Sequence, residues 1–294
     1  MAASSYSAAS LFSVKDLVAV ITGGGSGLGA ITAHALVANG AKAVYILGRR
    51  KEALLSTQEK STNPHVVHPI VCDVTSKDSL TDAVEQIRSE IGYINILFAN
   101  SGINNAATGA FNIKDDVRTV QSKLWEPDMG AFTQDLHVNV SGAYYTAIAF
   151  LDLLDQGNRQ AVVAEKSQIV FTSSGASFTR LPYSGFAYSA SKAAVTQMTK
   201  QLATTLAPHK IRVNSVAPGF FASEMTKNQP FMNVGRDPRE EGALDAQAVP
   251  LQRIGTEEDF AGIVLFLASK AGGFLDGTVL LADGGRIATI PSSY

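Results

Sequence analysis

The stretch "LVAVITGGGSGLGAITAHALV", residues 17–37, decides the architecture of this chain. Its first six residues are nearly all apolar and rich in β-branched side chains, which is typical of a strand buried on both faces of a parallel sheet. Glycines then dominate residues 23–29, and a helical pattern follows. Glycine lets the backbone turn sharply, and the free amides of a first helical turn attract anions. The stretch therefore predicts a strand, an anion-binding loop and a helix in succession.

The same alternation of short apolar runs and helical patterns continues to the C-terminal end. Seven runs predict strands, at 17–22, 43–47, 66–72, 94–99, 168–172, 211–217 and 278–282. Helical patterns lie between them, at 27–39, 76–91, 128–154, 187–207 and 256–269. Three stretches are expected to be irregular, at 103–127, 155–167 and 218–253. This order predicts an α/β, Rossmann-like doubly wound fold, with a seven-stranded, mostly parallel sheet and helices on both faces.

Composition indicates one globular domain. The chain has 294 residues, of which 46% are hydrophobic and 17% charged, and no linker rich in Pro, Gly or Ser divides it. We expect a flexible N-terminal segment at 1–13, a single domain at 14–286 and a C-terminal tail at 287–294 that is a candidate for a subunit contact. Within the domain, the irregular stretch 218–253 is long enough to act as a lid over a substrate.

Charge and residue usage exclude several classes of function. The formal net charge of −2 provides no broad basic surface for nucleic acid or anionic lipid. The five histidines show no metal-ligand spacing, so no metal is expected, and Cys72 is the only cysteine. The N-terminus has no secretory signal pattern, and the longest nearly apolar run, 143–154, is too short to cross a bilayer. By elimination, we expect a cytoplasmic protein.

The glycine loop predicts a dinucleotide site. Gly23, Gly27 and Gly29 follow Thr22 directly after the first strand and open a helix, which is the context that a pyrophosphate-binding loop requires. The residues between these glycines belong to the same predicted contact surface: Gly25, Ser26 and Leu28. A plain tight turn is the alternative interpretation.

The end of the second predicted strand bears on which dinucleotide binds. A dinucleotide fold usually places an acid there for the adenosine ribose, whereas this chain has Arg49 and Arg50 and no acid before Glu52. Arginine pairs with a 2′-phosphate and an acid repels it, so NADP(H) is favoured as cofactor. If both arginines are simply solvated residues at a helix start, NAD(H) stays open.

A tyrosine and a lysine form the candidate catalytic pair. Tyr188 and Lys192 lie four residues apart in "FAYSASKAAV", residues 186–195, and therefore share a helix face. A phenol titrates near pH ~10, and a neighbouring ammonium favours its ionised form. Ser174 follows the strand at 168–172, at the sheet edge where doubly wound folds bind ligands. Such a serine also serves commonly as a turn or cap residue.

Taken together, these motifs resemble the short-chain dehydrogenase/reductase family over about residues 14–286. The cofactor motif is Thr22, Gly23, Gly27 and Gly29, "ANSGI" matches the N-x-A-G stretch with Ser101 in place of alanine, and "LHVNVSG" matches the segment with the catalytic asparagine. The resemblance implies a catalytic tetrad of Asn139, Ser174, Tyr188 and Lys192. Tyr188 and Lys192 are also implied to contact the cofactor, together with Asp73, Val74, Asn100, Gly102, Pro218, Gly219, Phe221 and Ser223.

The resemblance also implies further properties. The helix bend at Asn139 is expected to hold a water for proton relay, and the protein is expected to assemble as a homodimer or homotetramer. Ser223 stands where the family often has a threonine, which keeps the hydroxyl and loses the methyl group.

The implied activity is NADPH-dependent reduction of a ketone or aldehyde, with Tyr188 as the general acid/base. Aromatic and apolar residues in loops near the predicted site favour an apolar small-molecule substrate, with ordinary packing under a long loop as the alternative: Phe178, Tyr183, Phe220 and Met225. Reduction of a 3-oxoacyl thioester is the same chemistry on another substrate. A cofactor-binding scaffold for a rearrangement or a partner is an alternative of another class. Enoyl reduction is disfavoured because that relative separates its tyrosine and lysine by more residues.

Overall fold

All strands of the central sheet run parallel, so their carboxyl ends meet at one edge. The computed structural model describes residues 6–106, 108, 112 and 114–294, and these contain seven strands in one sheet. They are β1 (Val18–Thr22), β2 (Ala43–Gly48), β3 (Val67–Val71), β4 (Ile96–Ala99), β5 (Gln168–Thr172), β6 (Arg212–Pro218) and β7 (Val279–Ala282). The predicted doubly wound sheet is confirmed, with every strand within two residues of its predicted bounds and every pairing parallel.

The strand order is β3-β2-β1-β4-β5-β6-β7. The chain builds outward from β1 to β3 and then crosses back to β4 on the other side of β1. Loops after β1 and β4 therefore diverge and leave a crevice at the carboxyl edge, where doubly wound sheets bind ligands.

Helices cover both faces of the sheet. They are α1 (Ala8–Leu11), α2 (Gly27–Ala38), α3 (Lys51–Glu59), α4 (Lys77–Glu90), α5 (Val117–Trp125), α6 (Met129–Leu136), α7 (Ala143–Ala149), α8 (Leu151–Gln160), α9 (Phe186–Leu206), α10 (Glu257–Ala268) and α11 (Arg286–Thr289). Helices α4, α7, α8 and α9 bury their apolar residues on one face, and α2, α3 and α10 on the other. Strand β1 is continuously apolar because both of its faces are buried. Val18 and Val20 belong to the core on one face of the sheet, and Ala19 and Ile21 belong to the core on the other face.

The single helix predicted over 128–154 was wrong. Helix α6 passes into a π-helical turn at His137–Gly142, then into α7, and the chain leaves helical geometry at Phe150 before α8 begins. The amide of Phe150 donates a hydrogen bond to the carbonyl of Ile148, two residues back, and ψ of Phe150 is 2°. Apolar periodicity continues through such breaks because every part packs on the same core, so the pattern alone does not reveal them.

Two of the stretches predicted to be irregular contain helix. Helix α5 lies inside 103–127 and begins at Asp116, whose carboxylate accepts hydrogen bonds from the amides of Arg118 and Thr119. Helix α8 continues through 155–160 and ends at Ala161, which has a left-handed φ of 50°. Residues 219–253 are irregular as predicted, apart from a 3-10 turn at Pro230–Met232.

Short helices lie near both ends of the described chain, α1 and α11. Ser7 caps α1, and the predicted flexibility of segment 1–13 stays a prediction, with residues 1–5 outside the described part. The C-terminal tail packs back on the segment after β5: the amide of Arg180 donates to the carbonyl of Pro291, and the rings of Phe178 and Tyr294 meet edge to face. Within the described residues, no helix has the length and apolar character to cross a membrane.

Gly157 in α8 gives a stability test of how closely this helix approaches the sheet. A Cβ there would overlap the carbonyl oxygen of Ile94 and lie 2.8 Å from Ser167 Oγ. We expect Gly157→Ala to lower the free energy of unfolding by about 1–3 kcal/mol, although alanine is the better helix former. Urea unfolding measures this change.

The matched control is Gly262→Ala in α10, where a Cβ meets nothing within 4 Å. There only helix propensity acts, so we expect stability to rise by up to about 1 kcal/mol. Equal effects of the two variants would contradict the close approach at Gly157.

Candidate active site

A trough of about 420 Å³ lies at the carboxyl edge of the sheet, where the order of strands reverses. Most of the predicted cofactor residues line it: Gly23, Gly25, Ser26, Gly27, Leu28, Arg49, Arg50, Asp73, Val74, Asn100, Gly102, Tyr188, Lys192, Pro218, Gly219, Phe221 and Ser223. Ser174 lines it too, so three of the four predicted catalytic side chains share one cavity with the glycine loop. Thr22, Gly29 and Asn139 lie behind this lining and support it.

Backbone geometry at the glycine loop explains its residues. Gly23 and Gly27 have φ of 68° and 52°, a region that side chains rarely adopt. A Cβ at Gly29 would overlap the carbonyl oxygen of Gly23, so helix α2 begins in direct contact with the turn that precedes it. The floor of the trough is therefore bare backbone at the N-terminus of α2, which is suited to a pyrophosphate.

Hydrogen bonds join the ends of three strands beneath the trough. Thr22 Oγ1 accepts from the amides of Asn100 (3.0 Å) and Ser101 (3.1 Å). The Asn100 side chain donates to the Thr22 carbonyl and accepts from Thr172 Oγ1. The Thr172 carbonyl in turn accepts from Lys192 Nζ at 2.8 Å. One polar chain thus runs from the glycine loop to the predicted catalytic lysine.

Asp73, a predicted cofactor contact, also lines the trough. The Asp73 carboxylate accepts from the amide and hydroxyl of Thr75. Partial burial acts to raise the pKa of Asp73, but these hydrogen bonds, with the charges of Arg49 and His137, outweigh it and the pKa is lowered. Asp73 is therefore a charged acceptor at neutral pH.

Arg50 has a partner that sequence order does not reveal. Its guanidinium forms an ion pair with Glu224, from the irregular segment after β6, and donates to Ser26 Oγ. Glu52 is the first acid after the two arginines in the sequence. The acid that pairs with Arg50 is Glu224, which lies 174 residues after Arg50 in the chain. Arg49 forms no ion pair within the part of the chain that the structure describes.

Tyr188, Lys192 and Ser174 converge at the inner end of the trough. Lys192 is buried, and its Nζ lies 5.7 Å from the centre of the Tyr188 ring. Burial lowers the pKa of Lys192 to about 8. For Tyr188, burial raises the pKa, the interaction with Ser174 lowers it and the charge of Asp135 raises it, so the pKa is raised overall. The phenol is thus held in its protonated form at neutral pH, whereas the sequence had indicated acidification by the neighbouring ammonium.

Asn139 lies in the π-helical turn, and the helix bend and bound water implied by the family resemblance stay predictions. Its side chain accepts from the amide of Ile103 and donates to the carbonyl of Ile103 and to Ser191 Oγ. Ser191 Oγ donates to the carbonyl of Tyr188. Asn139 therefore ties the segment after β4 to the turn of α9 that carries the tyrosine.

Asp135 is a buried acid that sequence reasoning missed. It is 0% exposed, and its two carboxylate oxygens accept from the amides of Asn105 (2.9 Å) and Ala106 (3.1 Å). Its position one turn before Asn139 is the signal that could have identified it, because the two side chains hold neighbouring parts of the same loop. Buried carboxylates close to a reactive group are characteristic of functional sites.

Unlike the predicted cofactor residues, the four predicted substrate residues lie in several parts of the structure. Met225 lines the trough. Phe220 stacks on Phe231 at 3.9 Å within a small core of the segment after β6. Phe178 is buried against the C-terminal tail, and Tyr183 is 68% exposed with Arg286 over its ring. Contact of these four residues with a substrate stays a prediction.

Replacing Asp135 tests its electrostatic effect on the tyrosine. Asp135→Asn removes a negative charge that disfavours the phenolate, so we expect the pKa of Tyr188 to fall and its titration to shift to lower pH. Tyrosinate absorbance, taken as the difference between each protein and its Tyr188→Phe counterpart, measures this shift. The control is Asp82→Asn, which removes an exposed carboxylate on α4. An unchanged or higher midpoint in Asp135→Asn alone would contradict the assignment.

Comparison with known proteins identifies the family. Residues 17–233 match the sequence pattern of the family described as short chain dehydrogenase. The chain is 45% identical over 287 residues to the short-chain dehydrogenase/reductase PhomF of Diaporthe leptostromiformis, an alignment that covers 98% of this chain and 97% of that protein.

Solved structures agree with this match. The RhlG/NADP active-site complex of Pseudomonas aeruginosa superposes with a TM-score of 0.77 at 26% identity, covering 94% of this chain and 98% of that one. A 3-ketoacyl-(acyl-carrier-protein) reductase from Brucella melitensis, complexed with NADH, gives 0.76 at 25% identity, covering 94% and 100%. The chain belongs to the short chain dehydrogenase family of oxidoreductases.

Proposed function

We propose that this protein is an NADPH-dependent reductase of a ketone or aldehyde carbonyl in an apolar small molecule. The observation that carries the proposal is the convergence of Ser174, Tyr188 and Lys192 at one end of a trough whose other end presents two arginines. A phenol, a hydroxyl and a buried ammonium at the end of a nucleotide-sized cavity suit proton transfer to an oxygen beside a hydride donor.

The residues of the trough fit a dinucleotide. Bare backbone at the N-terminus of α2 suits the pyrophosphate, and the absence of a Cβ at Gly29 lets this helix start against the turn at Gly23. Asp73, charged at neutral pH, suits a contact to the adenine, and the arginines at the end of β2 suit a 2′-phosphate. A relative in fold binds NADP and another binds NADH, so the preference for NADP(H) depends on Arg49 and Arg50.

The chain's own residues would complete the reduction as follows. When bound, reduced nicotinamide supplies the hydride that goes to the carbonyl carbon. Ser174 donates a hydrogen bond that positions the carbonyl oxygen, and Tyr188 delivers its phenolic proton to that oxygen. The raised pKa of Tyr188 means that this proton is present at neutral pH, as a proton donor requires. A proton from bulk solvent would then return to the phenolate through Lys192 and the water that the Asn139 turn is expected to hold.

Two other functions remain in contention. Reduction of a 3-oxoacyl thioester uses the same machinery, and the Brucella melitensis relative is described as such an enzyme. A non-redox scaffold would use the trough only to bind a nucleotide, and the presence of all four tetrad residues counts against it because a scaffold has no need to keep Asn139, Ser174, Tyr188 and Lys192 together. A cytoplasmic location and assembly as a homodimer or homotetramer also stay predictions.

Loss of the Tyr188 hydroxyl tests the mechanism. We expect Tyr188→Phe to lower kcat for NADPH-dependent carbonyl reduction by about 10²–10⁴-fold, because the proton donor is lost, while NADPH still binds. NADPH consumption over a panel of aromatic, alicyclic and 3-oxoacyl carbonyl compounds measures this loss and ranks the substrates. Tyr6→Phe, which removes the same group from an exposed ring, is the control. Identical turnover by wild type and Tyr188→Phe would favour the scaffold.

Replacing Arg49 tests the cofactor preference. Arg49 lines the trough without an ion-pair partner in the described chain, so it is free to meet a 2′-phosphate. We expect Arg49→Gln to weaken NADPH binding roughly tenfold and NADH binding little, as for loss of a charged hydrogen bond. Fluorescence titration with both nucleotides measures the ratio, with the exposed Arg159→Gln as control. Equal loss for both nucleotides would argue against a 2′-phosphate contact at this position.

A further inference from the structure

Arg50 and Glu224 form a two-pronged ion pair across the outer end of the trough. Arg50 Nη2 lies 2.6 Å from one carboxylate oxygen of Glu224, and Nη1 lies 3.2 Å from the other. The same Nη2 donates to Ser26 Oγ at 3.2 Å. Parallel hydrogen bonds of this kind are the strongest arrangement that arginine makes with an oxyanion. The Nη1–Nη2 edge of the Arg50 guanidinium is therefore engaged by a carboxylate.

The segment that carries Glu224 is held in a compact turn. The amide of Ser223 donates to Thr226 Oγ1, and Thr226 Oγ1 donates to the carbonyl of Phe221. The turn lies directly on the glycine loop, since a Cβ at Gly27 would come within 3.2 Å of Ser223 Cβ. Glu224 is thus presented to Arg50 by a fixed backbone, and the ion pair connects the segment after β6 to the end of β2.

The Glu224 carboxylate would compete with a 2′-phosphate for Arg50, because both groups are negatively charged. A 2′-phosphate and the Glu224 carboxylate are both oxyanions that need the same two guanidinium donors, and they repel each other at close range. The hydrogen bond from Arg50 lowers the pKa of Glu224, so the carboxylate is ionised at neutral pH and the competition persists there. Arg49 has no such rival among the described residues, which leaves Arg50 as the arginine whose availability is controlled.

We propose that Glu224 is a specificity-determining residue, which competes with the 2′-phosphate of NADP(H) for Arg50 and thereby limits the preference for the phosphorylated cofactor. The inference rests on the proposed function in that it assumes a dinucleotide in the trough. A 2′-phosphate displaces Glu224 from Arg50, and the segment after β6 then loses its tie to β2. An unphosphorylated ribose leaves the ion pair in place, so the two cofactors differ in how firmly that segment is held.

The test uses two fragments that differ only in the group at issue. Isothermal titration calorimetry at low ionic strength gives the affinities of adenosine 2′,5′-bisphosphate and of 5′-AMP for wild type and Glu224→Gln. We expect Glu224→Gln to bind the bisphosphate roughly fivefold more tightly, the upper end of what an exposed ion pair is worth, and 5′-AMP within about twofold of wild type. The side chain of Glu224 is 57% exposed, so the variant is expected to fold.

Two controls separate competition from a general change in charge. Glu126→Gln removes the same charge from an exposed pair with Lys123 and should change neither affinity. In an Arg50→Met background, Glu224→Gln should no longer strengthen bisphosphate binding. A gain that persists without Arg50, an unchanged bisphosphate affinity, or weaker binding of both fragments would each overturn the proposal.

The outcome is independent of the proposed reaction. A wild type that binds both fragments equally would contradict the NADP(H) preference, and a selective gain in Glu224→Gln would still support the competition. Normal carbonyl reduction with no effect of Glu224→Gln would leave the proposed function intact and remove this inference.

Discussion

The hydrogen bonds that join Thr22, Asn100 and Thr172 are the interaction on which the rest of the site depends. They connect the carboxyl ends of β1, β4 and β5, and the Thr172 carbonyl passes the connection to Lys192. Parallel strands of a twisted sheet diverge at this edge, and their loops would otherwise be positioned only by their own packing. With the strand ends tied together, the glycine loop and helix α9 keep a fixed separation, as the proposed transfer of a hydride and a proton requires.

A second group of interactions sets the electrostatics of this frame, and it involves acids from distant parts of the chain. Asp135 holds the backbone after β4 from within α6 and also opposes ionisation of Tyr188. Glu224 engages Arg50 from the segment after β6. Asp135 acts on Tyr188, and Glu224 acts on Arg50 at the far end of the trough. Neither acid is among the residues that the family resemblance implies.

The segment after β6, the segment after β5 and the C-terminal region pack against one another. The segment has its own small core around Phe220 and Phe231, and Arg286 of α11 lies 4.6 Å from the Phe220 ring and 5.3 Å from the Tyr183 ring. The tail beyond α11 pairs with the segment after β5 near Phe178. Phe178, Tyr183 and Phe220 therefore take part in packing between these segments, and their contact with a substrate stays a prediction.

The sequence by itself determined the sheet, the glycine loop and the placement of Ser174, Tyr188 and Lys192, because strands buried on both faces and residues one helical turn apart are local patterns. It did not reveal the breaks in the helix predicted at 128–154, because the apolar periodicity continues unchanged through the π-helical turn and Phe150. Only the tertiary structure decided that Asp135 lies beside Tyr188 and that Glu224 meets Arg50. Such pairings depend on where the loops of separate β/α units cross the same sheet edge, which no local spacing records.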